Sequence, residues 1–173
     1  MYRRNSRILG DLMTVLKDIG IYKNRILSHF LSNKDFCDVM LQKKDYTDDD
    51  IDNLMYSQLF PYLYVDGTQT EVIPYVDIEI VMNAGSGTVK NMLLYVDTFA
   101  HKGCMICNQK GYLGNRCDIL ADIIERSLHD CKDFGIGRFQ LLSVGYLNVS
   151  SDYYGRRMIF SVPDFLSKDI KKK

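Results

Sequence analysis

The sequence predicts an α+β protein with a mostly antiparallel sheet, one long amphipathic helix packed on it and extra helices at the N-terminus. Three patterns support this class. Apolar residues recur at helical spacing near the N-terminus, alternate with polar residues beyond Pro61, and return to helical spacing between Asn115 and Cys131. An antiparallel sheet covered on one face by helices accommodates that order of elements.

The length, charge balance and cysteine content of the chain argue against several classes of function. The chain has 173 residues, 46% hydrophobic and 25% charged, which is enough to bury a core without disulfide bonds. Lys plus Arg and Asp plus Glu both number 22, which argues against general binding to nucleic acid or anionic membranes, because such binding needs surplus basic residues. Five cysteines and the lack of a signal-peptide pattern predict a reduced, intracellular compartment.

Residues 1–60 are predicted to form a helical segment that joins residues 61–173, the sheet and helix domain, in one compact unit. Gly20 is expected to end a first helix and a second is predicted at Asn24–Leu31, while residues 34–46 fit neither pattern clearly. Thr47 or Asp48 can cap a third helix, which Pro61 is expected to stop. The apolar face of the first helix consists of Ile8, Leu12, Val15, Leu16 and Ile19.

Strands are predicted beyond Pro61. Tyr62–Val65 forms a short one, and apolar residues at alternate positions from Val76 to Met82 indicate a half-buried one. The glycine-rich NAGSGT and the long strand NMLLYVDTFAH follow. NAGSGT predicts a hairpin tip rather than a phosphate loop, because it lacks the G-x4-G-K-[ST] spacing and precedes a strand.

The C-terminal part is predicted to contain the long helix and a final hairpin. An apolar stripe runs along Asn115–Cys131, and the segment DFGIG terminates it. The strands RFQLLSVGYLNV and YYGRRMIFSVPDF follow, joined by the polar turn SSD. The helix is expected to cover one face of the sheet.

The segment HKGCMICNQKGYLGNRC has the spacing H-x2-C-x2-C-x9-C and raises the possibility of a zinc site. Its four candidate ligands are His101, Cys104, Cys107 and Cys117, since zinc favours a tetrahedral set of Cys and His. Against this, the residues between the paired cysteines are apolar, and Cys117 falls on the apolar stripe of the helix, where cysteine acts as a small hydrophobe. We favour a metal-free loop and keep a zinc-bearing nucleic-acid-binding module as the alternative.

No enzyme signature is present. His29, His101 and His129 stand outside any motif that pairs them with a nucleophile, and G-x-S-x-G, H-E-x-x-H and kinase motifs are missing from the sequence. We therefore expect neither catalytic residues nor a cofactor. An enzyme whose Cys–His pair forms only in the folded chain is a further alternative, and it predicts one cysteine far more reactive than the others.

Two segments resemble small tail and neck proteins of tailed bacteriophages, such as tail terminators and head–tail joining proteins. The segments are GYLGNRCDILADIIERSLHD and FGIGRFQLLSVGYLNVSSDYYGRRMIFSVPDF. The shared features are an N-terminal helix, a hairpin with a long strand, one amphipathic helix and a final hairpin. The resemblance extends over Pro61–Phe165 and concerns the order of elements, not a diagnostic motif. The N-terminal segment is longer than a minimal terminator needs, which leaves another neck role open.

The resemblance implies a structural protein of the virion, assembled in the host cytoplasm and located at the head–tail junction or the top of the tail. Identical subunits would form a ring, contact other neck or tail proteins, and surround a channel through which DNA passes, without membrane contact. Loops and hairpins would supply the contacts between subunits. The candidate interface residues are Asn83, Ser86 and Thr88 at one hairpin tip and Tyr153, Tyr154, Arg156 and Arg157 in the last hairpin.

Overall fold

A computed structural model describes residues 15–64, 71–83, 91–131 and 138–162. Within these ranges the chain is α+β, with four helices and one five-stranded mixed sheet. The helices are α1 (Val15–Leu31), α2 (Lys34–Leu41), α3 (Asp48–Asp52) and α4 (Arg116–Asp130), with a 3-10 turn at Lys102–Cys104. The strands are β1 (Leu59–Phe60), β2 (Pro74–Asn83), β3 (Asn91–His101), β4 (Gln140–Asn148) and β5 (Tyr153–Val162).

The sheet has the order β1-β2-β3-β5-β4. The pairs β2–β3, β3–β5 and β4–β5 are antiparallel, whereas the two residues of β1 pair in parallel with β2. The last strand along the chain therefore lies inside the sheet, and β4 forms its edge. In register, Asp77 lies opposite Asp97, Asp97 opposite Arg157, and Arg157 opposite Gly145.

The main hydrophobic core lies between one face of the sheet and the helices α1, α2 and α4. The helices contribute Ile26, Leu27, Phe30, Phe36, Val39, Met40, Ile119, Leu120, Ile123, Ile124 and Leu128. The sheet contributes Val76, Ile78, Ile80, Leu94, Val96, Met158 and Phe160. The helices that share this core with α4 belong to the predicted N-terminal segment, and its division from the rest stays a prediction.

A smaller aromatic cluster lies on the opposite face of the sheet. It consists of Phe60, Tyr75, Phe99 and Tyr153. Tyr75 and Phe99 stack with ring centroids 5.3 Å apart. Because side chains alternate along a strand, these residues point away from the neighbouring core residues of β2 and β3.

The long elements after residue 73 confirm the sequence predictions. The strand NMLLYVDTFAH is β3, and the alternating strand before it is β2. The helix α4 begins after Asn115, whose side chain accepts from the amides of Cys117 and Asp118 in a capping box. The final hairpin is β4 and β5, although the sheet is mixed because of β1.

The N-terminal predictions are partly wrong. α1 continues through Gly20 to Leu31 as one helix, because burial of its apolar face outweighs the roughly 1 kcal/mol that a helical glycine costs. Residues 34–46, whose sequence fits neither pattern clearly, contain α2. The predicted helical residues 8–14 lie outside the described ranges.

The segment around Pro61 also differs from expectation. Thr47 caps α3 as predicted, but the helix ends at Asp52, well before Pro61. The short strand is Leu59–Phe60 and not Tyr62–Val65, of which Val65 lies outside the described ranges. None of the described helices is long and apolar enough to cross a membrane.

Two glycines of the last hairpin should respond differently to alanine. A Cβ at Gly155 would collide with the carbonyl oxygen of Thr98 and with Phe99, whereas in the described structure a Cβ at Gly145 meets no atom within 4 Å. We expect Gly155→Ala to lower the free energy of unfolding by about 1–3 kcal/mol through overpacking. Gly145→Ala is the matched control and should change it by less than about 0.5 kcal/mol. Equal urea midpoints for the two variants would contradict this difference.

Candidate functional site

The cysteine-rich loop after β3 is a structural connection. Cys104 and Cys117 are buried together with Ala100. The Cys104 thiol donates to the carbonyl of His101 at 3.3 Å, and the Cys117 thiol donates to the carbonyl of Tyr154 at 3.2 Å. His101 Nδ1 accepts from the amide of Gly103 at 3.0 Å, which fixes the start of the turn.

The four candidate zinc ligands do not form a ligand set in the described structure. Cys107 packs against the main core, away from the cluster of Cys104 and Cys117. No group of three or more His, Cys, Asp or Glu residues in the described ranges could hold a metal ion. In the metal-free chain, burial raises the pKa of Cys117 to about 12 and raises that of Cys104.

Arg116 holds this loop against the helices. Its side chain is buried and donates to three backbone carbonyls: Nε to Cys104 at 2.6 Å, Nη1 to Val39 at 2.6 Å and Nη2 to Ile106 at 3.3 Å. The three acceptors belong to the turn, to α2 and to the loop. The guanidinium group at the first residue of α4 thus connects that helix to the turn, to α2 and to the loop.

A second anchor holds the far part of the same loop. The carboxylate of Asp35 accepts from Gln109 Nε2 at 2.8 Å and from the Tyr112 hydroxyl at 3.1 Å. Two apolar side chains of this loop are exposed to solvent: Ile106, three residues before Gln109, is 89% exposed, and Leu113, directly after Tyr112, is 93% exposed. The loop therefore presents two apolar side chains on a backbone fixed at both ends.

The residues predicted as an interface in the last hairpin have intramolecular contacts. Tyr153 is buried, and its hydroxyl donates to the carbonyl of Glu71 at 2.5 Å. Tyr154 is half-buried, and the centroid of its ring lies 5.2 Å from the ring centroid of Tyr146. Arg156 Nε donates to Asp118 at 2.8 Å, which ties β5 to α4.

The remaining interface predictions are not tested by these contacts. Arg157 is half-buried, and Asn83 is the last residue of β2, with its side chain outside the description. Ser86 and Thr88 lie outside the described ranges. The interface assignment as a whole stays a prediction.

A row of three charged side chains crosses the sheet on the face of the aromatic cluster. Arg157 binds Asp97 with two hydrogen bonds, Nε to Oδ1 at 2.7 Å and Nη2 to Oδ2 at 2.5 Å. Asp77 is the next residue in the row, and its Oδ2 accepts from the amide of Tyr64 at 2.8 Å. Asp77 Oδ1 is buried and has no hydrogen-bond partner in the described structure.

The buried position of Asp77 raises the pKa of its carboxyl group. Burial raises the pKa of Asp77 to about 8, and the carboxylate of Asp97 acts in the same direction. The amide of Tyr64 and the guanidinium of Arg157 oppose the rise without cancelling it. Asp77 is therefore largely protonated near neutral pH, because burial and the neighbouring carboxylate both disfavour its charged form.

The edge strand β4 is the most exposed element of the sheet. Its apolar residues include Leu142 at 53%, Val144 at 50% and Tyr146 at 61% exposure. A bulge between Leu141 and Ser143 interrupts the pairing with β5 and leaves 143–148 in regular register.

A groove runs between β4 and α4. Its volume is about 300 Å³, and its lining residues are Asp118, Ala121, Asp122, Glu125, Val144, Arg156 and Met158. On α4 its rim carries the exposed Glu125 and the half-buried Asp122, whose carboxylate binds Arg126. An apolar strand edge beside an accessible carboxylate suits a protein contact better than a small-molecule site, because the groove is open along its length.

Sequence reasoning missed Arg116, the carboxylate row and the edge position of β4. Arg116 gave no signal, because a lone arginine before a helix resembles any exposed basic residue. Asp77 and Asp97 both occur in the motif Tyr-Val-Asp within strands, and that repetition was the available signal. The edge position follows from the pairing of β3 with β5, which periodicity does not specify.

These features define an α+β protein with a fixed apolar loop and an exposed sheet edge. The YomW family model matches residues 25–162, most of the chain, and the chain belongs to that family. The family takes its name from a gene product of a Bacillus phage region, which indicates a phage-associated protein. A comparison with curated proteins finds no match.

Replacing Asp77 should remove a pH dependence of stability. The pKa of Asp77 is about 8 in the folded state and about 3.9 in the unfolded state. Between about pH 4 and pH 8 the folded chain therefore holds a proton on Asp77 that the unfolded chain has lost. The free energy of unfolding should therefore fall as pH rises from about 4 to about 8. Asp77→Asn keeps an acceptor for the Tyr64 amide and is expected to lose this fall, so that it exceeds the wild type in stability at pH 9.

Urea titrations between pH 5 and pH 9 measure this effect. Asp152→Asn is the control, because the exposed carboxylate of Asp152 lies elsewhere and binds Lys102. An unchanged pH profile in Asp77→Asn would show that Asp77 is already ionised in the folded protein.

Arg116 should contribute strongly to stability. Arg116→Met leaves three carbonyls without their donor, and we expect a loss of about 2–4 kcal/mol in the free energy of unfolding. Arg116→Lys should recover little, since one ammonium group does not reproduce the planar fork. Arg126→Met on the same helix removes an exposed ion pair with Asp122 and should cost less than about 1 kcal/mol. Similar losses for Arg116→Met and Arg126→Met would refute this role.

Proposed function

We propose that the chain is a structural protein of a tailed-phage head–tail connection, a tail terminator or neck ring subunit. The membership in a phage-associated family supports a role in the phage. The observation that carries the assembly role is the exposed strand β4, whose nine residues QLLSVGYLN include no charge and no proline. Proteins that stay monomeric usually block such an edge with charges or proline.

The proposed assembly is a ring of identical chains around a channel for DNA. Heterologous contacts between different patches of neighbouring chains close such a ring. The fixed loop that bears Ile106 and Leu113 provides an apolar patch for such a contact. Other neck or tail proteins are the further partners, the location is the virion, and DNA is contacted only as it passes through.

The proposed work is mechanical and needs neither a cofactor nor a catalytic residue. A terminator stops polymerisation of the tail tube, and a neck ring offers a docking surface to the head. Both tasks depend on rigid contacts between proteins. The two anchors at Arg116 and Asp35 make the apolar loop suitable for such contacts, because little conformational entropy is lost on binding.

The location in the particle tests this proposal. In a phage that encodes this chain, mass spectrometry of purified virions should find it in fixed copy number, and gold labelling should place it at the head–tail junction. Deletion should give filled heads without joined tails, with overlong tails in the case of a terminator. Virions that lack the chain but remain infective would overturn the proposal.

The apolar loop should be needed for this assembly and not for folding. Ile106→Asp together with Leu113→Asp adds charge at exposed positions, so the unfolding midpoint should stay near that of the wild type. Complementation of the deletion should drop by at least tenfold, because a charge is buried in the contact. Leu63→Asp is the matched control, since Leu63 is also exposed but lies outside the loop. Full complementation by the double variant would remove the loop from the assembly surface.

A further inference from the structure

The outer edge of β4 is open in the described part of the chain. β4 pairs with β5 on one side and has no described strand on the other. The bulge restricts regular pairing to 143–148. Gly145 lies near the middle of this regular stretch.

Nothing in the described structure of this chain requires glycine at position 145. Gly145 is not among the residues with positive φ, and a Cβ there would meet no described atom within 4 Å. In contrast, Gly155 on the neighbouring strand has no room for a side chain. A glycine inside a strand weakens it, and often marks a place where another backbone approaches closely.

We propose that β4 pairs antiparallel with β4 of a second copy of this chain, about a two-fold axis through Gly145. The two five-stranded sheets then become one continuous sheet. The contact is isologous, so it joins chains in pairs and differs from the head-to-tail contacts of a ring. The inference rests on the proposed function only in treating β4 as an assembly surface.

The side chains of β4 suit this register. With the axis at Gly145, Val144 of each copy lies directly opposite Tyr146 of the other, and aromatic residues pair favourably with β-branched ones across strands. Both side chains are on the α4 face, as their partners Met158 and Arg156 are. Tyr146 of the second copy thus reaches the groove.

Polar chemistry in the groove complements that tyrosine. Glu125 lines the α4 side of the groove and is exposed, and its carboxylate is an acceptor for the hydroxyl of an incoming Tyr146. The carboxylate of Asp122 beside it is bound by Arg126. No residue of β4 is charged, so the paired strands place no like charges opposite each other.

One strand edge with its flanking side chains is a small interface. Stable interfaces bury at least about 1,200 Å² in total, and smaller ones are weak or transient. The pair is accordingly expected to depend on protein concentration.

Cysteine crosslinking tests the axis directly. Only at the two-fold axis does a residue lie opposite the same residue of the second copy. The Cα atoms of facing residues in an antiparallel pair are about 4.5–5.5 Å apart, a distance that a disulfide can bridge. Gly145→Cys should form a covalent dimer on mild oxidation of the full chain. Ser57→Cys, at an exposed site on another part of the surface, and the wild type with its five native cysteines should not. Failure of Gly145→Cys to crosslink above these controls would overturn the proposal.

A charge exchange gives a second test that does not depend on cysteine chemistry. Val144→Lys with Tyr146→Lys, and Val144→Glu with Tyr146→Glu, should each weaken self-association at least tenfold in sedimentation equilibrium. A mixture of the two variants should restore it, because Lys then faces Glu at each pair. Association that is unchanged in both variants, or not restored in the mixture, would contradict pairing through β4.

The outcome is separable from that of the proposed function. A ring with no crosslink at position 145 would overturn the pairing and leave the neck proposal supported. A dimer that crosslinks at position 145, from a chain not found in virions, would support the pairing and overturn the neck proposal.

Discussion

The buried guanidinium of Arg116 is the contact on which the arrangement of the fold depends most. It binds carbonyls of α2, of the turn after β3 and of the loop that follows. The bonds to Cys104 and Val39 are buried, and these two carbonyls would otherwise be unsatisfied away from water. The contact ties the first residue of α4 to α2 and to the turn, and so helps to hold α4 over the sheet. It also fixes the loop that exposes Ile106 and Leu113.

The position of β5 inside the sheet explains the asymmetry of the surface. β3 and β5 pair over their full length, and this close pairing leaves no room for a side chain at Gly155. β4 then lies at the edge, where α4 does not cover it. Exposure of Val144 and Tyr146 is thus a consequence of strand order and not of local sequence.

The sequence predicted best those elements whose apolar period is long and uninterrupted. β3 and α4 were placed almost to the residue, because eleven and fifteen residues give a clear period. Gly20 was misread because a local propensity of about 1 kcal/mol is smaller than the gain from burying a helix face. β1 was misplaced because two residues, Leu59 and Phe60, carry no period at all.

The candidate site was less predictable, since it depends on contacts between residues distant in sequence. The spacing of His101, Cys104, Cys107 and Cys117 allows a zinc site, but spacing does not reveal that Cys117 points into a buried cluster. The pairing of Asp77 with Asp97 requires the strand register, which alternation does not specify. The sequence assigns Arg156 and Arg157 to one candidate interface, yet adjacent residues of a strand face opposite sides of the sheet. One binds Asp118 of α4 and the other Asp97 of β3.

The charged row and the strand edge are physically connected. Asp77, Asp97 and Arg157 follow one another across the sheet, and the next position in that row is Gly145 on β4. Of the four positions in this row only the last, Gly145, has no side chain, and a Cβ there would meet no atom within 4 Å in the described structure. The ionisable side chains therefore end one strand before the edge, and β4 itself carries no charge towards a neighbouring strand.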